Sequence, residues 1–226
     1  MEIRAQDLGM KFDDAGRTVT VFERLNLTIR SGTSLAIVGK SGVGKTTLLY
    51  ILGGLEQPTE GEVFVGGTNL TAQYRSGEDL APFRGTNIGF VFQSHQLLPE
   101  FDALENVALP LFIRGVAEQE ARAQAEELLV SVGLKDRVTH RPGALSGGEQ
   151  QRVAMARALV GSPGVVLADE PTGNLDLQTG GQVMDILLSL HRQRKTTLIL
   201  VTHSPDLAAK LDAVVELTPG GFIEHT

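Results

Sequence analysis

The sequence has no cysteine, so neither a disulfide nor a cysteine-ligated metal site can form. It also lacks any run of about 18 apolar residues, which argues against a membrane-spanning helix. The first residues, Met1–Asp7, lack the apolar core of a signal peptide, and we expect a cytoplasmic location. Basic residues are outnumbered, 20 against 27 acidic, and the net charge of −7 is unlike that of a general nucleic-acid binder. We expect no nucleic-acid partner, and any membrane role must come through another protein.

Hydrophobic residues make up 42% of the 226 residues, enough for the core of one large α/β domain. The N-terminal part predicts antiparallel strands, with apolar residues alternating in Leu25–Arg30 and a turn at Asp13–Gly16. A terminal hairpin is predicted across Ala213–Ile223. Three short apolar runs predict buried strands of a βα pattern, at Leu35–Val38, Val165–Ala168 and Leu198–Val201.

The chain is organised around a complete G-x-x-x-x-G-K-[ST] motif between a predicted strand and a predicted helix. Its glycines let backbone N–H groups turn inward, and the positive end of the following helix favours an anion. Lys45 would contact the β- and γ-phosphates, and the Thr46 hydroxyl would bind Mg²⁺. The alternative is a chance glycine-rich turn. The residues that we expect to bind ATP here are Gly39, Lys40, Ser41, Gly42, Val43, Gly44, Lys45, Thr46 and Thr47.

Two acids, Asp169 and Glu170, follow the apolar run Val165–Ala168, at the strand end where α/β sheets place ligands. Asp169 would hold Mg²⁺, and Glu170 would polarise the attacking water. Paired acids after a strand are also common in solvated loops. The phosphate-binding motif favours the catalytic interpretation.

A second glycine-rich stretch begins a predicted helix. Ser146 and Glu149 have the spacing of a capping box, yet Gly147 and Gly148 are poor residues for a first helical turn. Glycines there allow close approach to bare amides, which indicates a second anion site. An ordinary capped helix is the alternative. The stretch comprises Leu145, Ser146, Gly147, Gly148, Glu149 and Gln150.

The stretch Leu145–Gln150 resembles the signature sequence of ABC ATPases, and the remaining family motifs follow in the family's order. Gln93 matches the Q-loop glutamine, and His203 matches the switch histidine. Phe12 lies where the family carries an aromatic residue that stacks on adenine. The positions that match the D-loop are Asn174, Leu175 and Asp176.

This resemblance implies a P-loop ABC ATPase domain, residues 1–226, with a RecA-like core, an N-terminal antiparallel β subdomain and an inserted α-helical subdomain. Residues 1–92 and 160–226 would form the nucleotide-binding part, and 93–159 the helical signature subdomain. It also implies ATP and Mg²⁺ as cofactors and a head-to-tail homodimer. Each ATP would lie between one subunit's phosphate loop and the other subunit's Ser146–Gly148, and hydrolysis would open the dimer.

Individual roles follow from the resemblance and from side-chain chemistry. Gln93 would contact both Mg²⁺ and the attacking water, and we expect Thr46 and Asp169 to complete the metal set. His203 would donate to the γ-phosphate, and Lys45 would act with Glu170, Gln93 and His203 in catalysis. Phe12 either stacks on the base or is a core residue, because aromatic side chains do both.

Ser94–Val107 and Ala168–Asp176 resemble the lipoprotein-releasing (LolD) and macrolide-exporter (MacB) group of bacterial ABC ATPases. That group pairs with an inner-membrane permease that has a large periplasmic domain, so the chain would be peripheral on the cytoplasmic face. Leu97, Leu98 and Phe101 form an apolar cluster suited to docking a partner's short helix. Packing of the cluster within its own subdomain is the alternative.

Some positions depart from the family pattern, and some alternatives stay open. Thr33-Ser34 replaces the usual Gly-Glu, and Ser204 replaces the usual aspartate after His203, which leaves the hydrolysis rate open. An FtsE-type regulator, which transmits ATP state across the membrane without cargo, shares the same motifs. A chromosome or DNA-repair ATPase needs long coiled coils, yet the sequence has no sustained heptads. A small-molecule phosphotransferase does not explain Leu145–Gln150. The sequence does not identify the cargo, because the permease makes the contacts with it.

Overall fold

The computed structural model describes residues 1–14, 16–218 and 221–225. Ala15 of the predicted turn and Gly220 of the predicted hairpin lie outside these residues. By internal packing the chain divides into two units, residues 1–84 with 195–226, and residues 85–194. The subdomain boundaries at residues 92 and 159 stay a prediction, since the packing units follow a different division.

The strands of the described residues are short except for the first two. Their bounds are β1 Ile3–Asp14, β2 Arg17–Ile29, β3 Ser34–Val38, β4 Glu60–Val65, β5 Thr68–Asn69, β6 Ile88–Val91, β7 Val165–Asp169, β8 Thr197–Val201, β9 Ala213–Thr218 and β10 Gly221–His225.

The helices are concentrated between residues 70 and 194. Their bounds are α1 Lys45–Leu52, α2 Leu70–Arg75, α3 Ala81–Asn87, α4 Ala103–Ile113, α5 Glu118–Ser131, α6 Gly147–Leu159, α7 Leu177–Arg194 and α8 Pro205–Ala208. No helix in the described part of the chain combines the length and the apolar character that crossing a membrane requires.

The first unit contains the antiparallel sheet that the N-terminal alternation predicts. Its strand order is β2-β1-β4-β5. Ile3 and Ala5 of β1 are buried and lie opposite Ile29 and Leu27 of β2, while the residue between them, Arg4, is exposed. The period of two therefore turns one face of the sheet to the core.

The same unit contains parallel strands that carry the phosphate-binding motif. β3 pairs in parallel with β8 on one side and with β9 on the other, and β10 pairs antiparallel with β9. The terminal hairpin prediction is confirmed for β9 and β10. Leu35, Ala36 and Ile37 are almost fully buried, as a continuous apolar run predicts for a parallel strand.

The second unit combines a parallel pair, β6 and β7, with four longer helices. The buried residues of α5 recur every three or four positions and are Ala121, Ala125, Leu128 and Leu129. α7 begins at Leu177, where Asp176 caps its start by accepting a hydrogen bond from the Thr179 amide at 3.0 Å. The architecture is α/β, as expected.

Candidate functional site

The phosphate-binding motif lies between β3 and α1, as predicted. Gly39, Gly42 and Gly44 have φ values of 144°, 79° and 104°, a region that L side chains rarely adopt. No side chain caps the start of α1, and its first turn contains no acid. The first turn of α1 therefore supplies no carboxylate of its own to the positive end of the helix dipole, which suits an anionic ligand.

Two of these glycines are also required by their neighbours. A Cβ at Gly39 would lie 2.6 Å from the carbonyl oxygen of Leu217, and a Cβ at Gly44 would overlap the Cγ1 of Val21. The loop is thus pressed against β9 on one side and β2 on the other. Its shape is set by the fold of the first unit.

The Lys45 side chain lies over this loop. It is 9% exposed, and its ammonium donates to the carbonyl oxygens of Gly39 and Lys40 at 2.9 and 3.0 Å. An ammonium has three N–H donors, so one remains for a phosphate oxygen. Lys40, by contrast, is exposed on the outer side of the motif.

His203 lies at the same edge of the parallel strands as the motif. Ile37 of β3 is in register with Val201 of β8, and the Thr202 amide donates to the Ile37 carbonyl at 3.2 Å. His203 follows directly and is exposed. The first unit therefore brings together the phosphate-binding loop and the predicted γ-phosphate donor.

The second unit brings together Gln93 and Glu170. Val91 of β6 is in register with Ala168 of β7. Gln93 follows Val91 by two residues, and Glu170 follows Ala168 by two residues. A Cβ at Gly173 would lie 3.0 Å from the Gln93 Nε2 and 3.5 Å from the Glu170 Cβ. Gly173 thus leaves room for these two groups to approach one another.

The backbone at Glu170 is in the left-handed region, with φ of 44°. For a residue with a Cβ such a conformation costs about 1–3 kcal/mol and is concentrated at functional sites. The Asn174 side chain donates to the Gln93 carbonyl at 3.0 Å, which attaches the D-loop stretch to the same corner. Asp169 is 7% exposed at the end of β7.

The signature stretch forms the predicted capping box. The Ser146 amide donates to the Glu149 carboxylate at 2.8 Å, and the Glu149 amide donates to the Ser146 hydroxyl at 3.3 Å. The Gln150 side chain donates to the carbonyls of Pro142 and Leu145 at 3.0 and 3.1 Å. Glu149 and Gln150 therefore hold the start of α6 in shape, while Ser146 and Gly147 are exposed.

The Glu149 carboxylate makes stability depend on pH. Its hydrogen bond from the Ser146 amide and the Arg137 guanidinium at 2.9 Å lower the pKa of Glu149 from 4.5 to about 2. A lowered folded-state pKa contributes stability above pH 4.5 that is lost as the pH falls toward 2.

We expect Glu149→Ala to lower the free energy of unfolding by about 1 kcal/mol at pH 7, because it removes a charge and a cap at a helix start. The difference from the unsubstituted protein should shrink as the pH falls from 5 to 3 in urea titrations. Glu126→Ala, at an exposed position of α5, is the matched control. A difference that stays constant with pH contradicts the role of the carboxylate.

Two residues that the sequence analysis did not single out hold the segment on either side of Gln93. Arg157 of α6 donates to the carbonyls of Gln96 and His95 at 2.7 and 2.9 Å. The Gln151 side chain, 1% exposed, donates to the Phe92 carbonyl at 3.5 Å. The buried residues of α6 other than Gln151 are apolar or glycine, so a glutamine at a buried helical position is the sequence signal for such a contact, since buried polar groups need partners.

His95 contacts the signature stretch. Burial lowers the pKa of His95, and a hydrogen bond with the Gly147 backbone opposes this shift. The segment around Gln93 is therefore connected to the start of α6 as well as to its middle.

The cluster predicted to dock a partner is partly packed within its own unit. The buried Asn106 side chain accepts from the Leu98 amide at 2.8 Å and donates to the carbonyls of Leu98 and Phe101, both at 3.1 Å. Leu98 is 39% exposed, whereas Leu97 and Phe101 are half-buried. The loop that contains Leu97, Leu98 and Phe101 is thus held by the Asn106 carboxamide, and the Leu98 side chain is exposed.

Phe12 is not a core residue. It is 42% exposed on β1 and lies opposite the equally exposed Val19 of β2. Of the two alternatives for this aromatic ring, packing in the core is wrong. Stacking on adenine stays a prediction.

The proposed metal ligands offer oxygen donors only. Among the described residues, no group of three or more His, Cys, Asp or Glu side chains is placed to hold a metal ion. Mg²⁺ commonly binds through one or two carboxylates, several waters and the substrate's phosphates. Thr46 in the first unit offers a hydroxyl, and Gln93 and Asp169 in the second unit offer a carboxamide and a carboxylate, so each has an oxygen donor of the kind that Mg²⁺ accepts.

Comparisons with known proteins identify the family of the chain. The ABC transporter family model matches residues 22–173. The lipoprotein-releasing system ATP-binding protein LolD of Xanthomonas campestris is 51% identical over 222 residues, which is 98% of this chain and 92% of that protein. LolD of Geobacter metallireducens is also 51% identical, with 98% and 97% covered. Among solved structures, the dimeric cassette MJ0796 bound to ADP and Pi superposes with a TM-score of 0.90, at 35% identity, over 99% of this chain and 98% of that one.

Proposed function

The chain belongs to the ABC transporter family, and we propose that it binds ATP at Gly39–Thr46 and hydrolyses it. The observation that carries this proposal is the loop itself. Its glycines adopt backbone conformations that L side chains rarely adopt, and two carbonyl groups hold the Lys45 ammonium over the loop. A preorganised set of backbone amides and one point charge is the arrangement that cradles a triphosphate.

Hydrolysis needs a water held in line with the γ-phosphate, and the second unit offers the groups for it. Glu170 would accept the proton of this water, with Gln93 beside it to orient the water. His203 and Lys45 would donate to the γ-phosphate oxygens and stabilise the negative charge that develops there. Bound Mg²⁺, held by Thr46, Gln93 and Asp169, would neutralise charge on the β- and γ-phosphates.

We also propose that two copies close around ATP, as the signature stretch implies. Ser146 and Gly147 are exposed at the start of α6, whereas the neighbouring Glu149 carboxylate is engaged within its own chain. The start of this helix is therefore available to a nucleotide bound by a second copy. The similar cassette MJ0796 is dimeric in its structure with ADP and Pi, which supports the proposal.

The transporter is proposed to release lipoproteins at the bacterial inner membrane, because the similar proteins of Xanthomonas and Geobacter carry that name. A permease with a periplasmic domain, as in the LolD and MacB group, would bind on Leu98 with Leu97 and Phe101 beside it. ATP-driven closure would act on that permease from the cytoplasmic face. An FtsE-type role without cargo is the second candidate, since the same motifs serve both.

The test uses the tagged chain purified from membranes together with what it binds. We expect a membrane protein with few helices and a large periplasmic domain to be recovered. Leu98→Glu should reduce this recovery at least fivefold, because a charge would be buried at the contact. Ile113→Glu is the matched control, since Ile113 is a 78% exposed apolar residue of the same unit.

The reconstituted complex then separates the two candidates. ATP-dependent transfer of lipoprotein from proteoliposomes to a soluble acceptor supports release. ATP hydrolysis by the complex without any transfer favours the FtsE-type role. Recovery of DNA alone, or equal loss with Leu98→Glu and Ile113→Glu, contradicts the docking proposal.

A further inference from the structure

The second glycine of the signature stretch has a neighbour within its own chain. Gly148 is buried, and a Cβ at this position would overlap the Cγ2 methyl of Thr179 on α7. A Cβ at the adjacent Gly147 would meet only the Leu175 Cδ2, at 3.4 Å, which is ordinary contact. Only Gly148 is therefore fixed as glycine by the close approach of α7.

The other groups of Thr179 contact the D-loop. The Thr179 amide donates to the Asp176 Oδ1 at 3.0 Å. Hydrogen bonds from the hydroxyl and the amide of Thr179 lower the pKa of Asp176, which marks the carboxylate as the form they stabilise. Thr179 thus has its polar groups on the D-loop and its methyl group on the signature helix.

The start of α7 is itself closely packed. A Cβ at Gly180 would lie 3.2 Å from the Thr172 Cβ, and the Gly180 amide donates to the Asp176 carbonyl at 2.8 Å. Thr179 is therefore attached to a fixed turn, and its methyl group cannot move away from Gly148 without cost.

We propose that Thr179 is a positioning residue that joins the D-loop to the signature helix. It deepens the proposed function and rests on it, because both stretches are expected to face the second copy in the ATP-bound dimer. Because Thr179 contacts both stretches, a shift of Asp176 changes the position of Gly148. The position of α7 therefore determines where the backbone amides at the start of α6 lie. Gly148 then serves this contact as well as the approach of a nucleotide.

Four variants test the contact as a double-mutant cycle. Gly148→Ala should lower kcat for ATP hydrolysis about tenfold and leave KM for ATP within about twofold, because the signature helix is expected to act only in the closed dimer. Thr179→Ser removes the methyl group and keeps the hydroxyl, so it should cost less than about threefold. The double variant Gly148→Ala with Thr179→Ser should recover at least about fivefold over Gly148→Ala alone.

Gly148→Ala with Thr179→Val is the matched control, because valine keeps the obstructing methyl and should give no recovery. Each kcat is divided by the amount of ATP bound, so that unfolded protein does not contribute. If Gly148→Ala yields no folded protein, the contact is tested by comparing the midpoints of thermal unfolding of the serine and valine double variants. Recovery of folding by serine and not by valine supports the contact.

A serine double variant no better than Gly148→Ala, in kcat and in thermal midpoint, overturns the proposal, since Gly148 would then be required by something other than Thr179. A wild-type chain with its permease that hydrolyses no ATP would instead refute the proposed function. The thermal cycle would still report on the contact in that case.

Discussion

Replacing Glu170 with glutamine will lower the rate of ATP hydrolysis by ~10²–10⁴-fold, the usual contribution of a positioned general base, while ATP still binds. Glutamine has nearly the same shape and can occupy the left-handed backbone at φ of 44° as well as glutamate does. It keeps the neighbouring Gln93 in place but cannot accept a proton from water. The measurement is phosphate release at saturating ATP with Mg²⁺, beside equilibrium binding of a fluorescent ATP analogue.

Glu170→Gln also tests the proposal that two copies of the chain close around ATP. Without hydrolysis the closed state should persist, so light scattering should show a dimer when ATP and Mg²⁺ are present and a monomer with ADP. Asp185→Asn is the control, because Asp185 is an exposed acid of the same unit on α7. A Glu170→Gln protein that hydrolyses ATP at more than a tenth of the wild-type rate would show that another group activates the water. One that stays monomeric with its permease and ATP would contradict the dimer.

The positions of the strands and the motifs followed from local sequence patterns. A buried parallel strand needs a continuous apolar run, and such runs end at Val38, Ala168 and Val201, next to the phosphate loop, Asp169 and Thr202. His203 was assigned to the γ-phosphate by the family resemblance, and the parallel pairing of β3 with β8 places it at the same edge as the phosphate loop, because parallel strands place their carboxyl ends at one edge. The capping box of Ser146 followed from spacing in the same way.

Contacts between residues distant in sequence could not be predicted. Gly180 and Gly181 disfavour a helix, yet α7 begins before them, because Gly180 fits against Thr172 and Asp176 caps the turn. The glycine at 148 indicated close approach to bare amides, but the sequence did not name Thr179 as the group that approaches. Helical periodicity explains which residues of α6 are apolar and does not reveal that Arg157 reaches the carbonyls of residues 95 and 96.

The phosphate loop illustrates both cases. Its residues are recognisable from spacing alone, whereas the reason that Gly39 and Gly44 must be glycine lies in Leu217 and Val21, far away in the sequence. Tertiary neighbours thus fix the conformation that the motif requires. Close packing on both sides restricts the conformations of the loop, which reduces the entropy lost when a nucleotide binds.

Replacing Lys45 with alanine will weaken ATP binding by about 10- to 100-fold, since a hydrogen bond to a charged group contributes about 1.5–3 kcal/mol. Lys40→Ala is the matched control, because Lys40 carries the same charge in the same loop but is exposed. Its loss should weaken binding less than about threefold, as solvent screens an exposed charge. Lys45→Arg should not restore affinity, because a planar guanidinium cannot occupy the position of a compact ammonium bonded to two carbonyls.

Isothermal titration with ATP and Mg²⁺ gives the affinities, and thermal unfolding checks that the loop variants fold. Equal losses with Lys40→Ala and Lys45→Ala would mean that net charge draws the nucleotide in, and that the position of the Lys45 ammonium is immaterial.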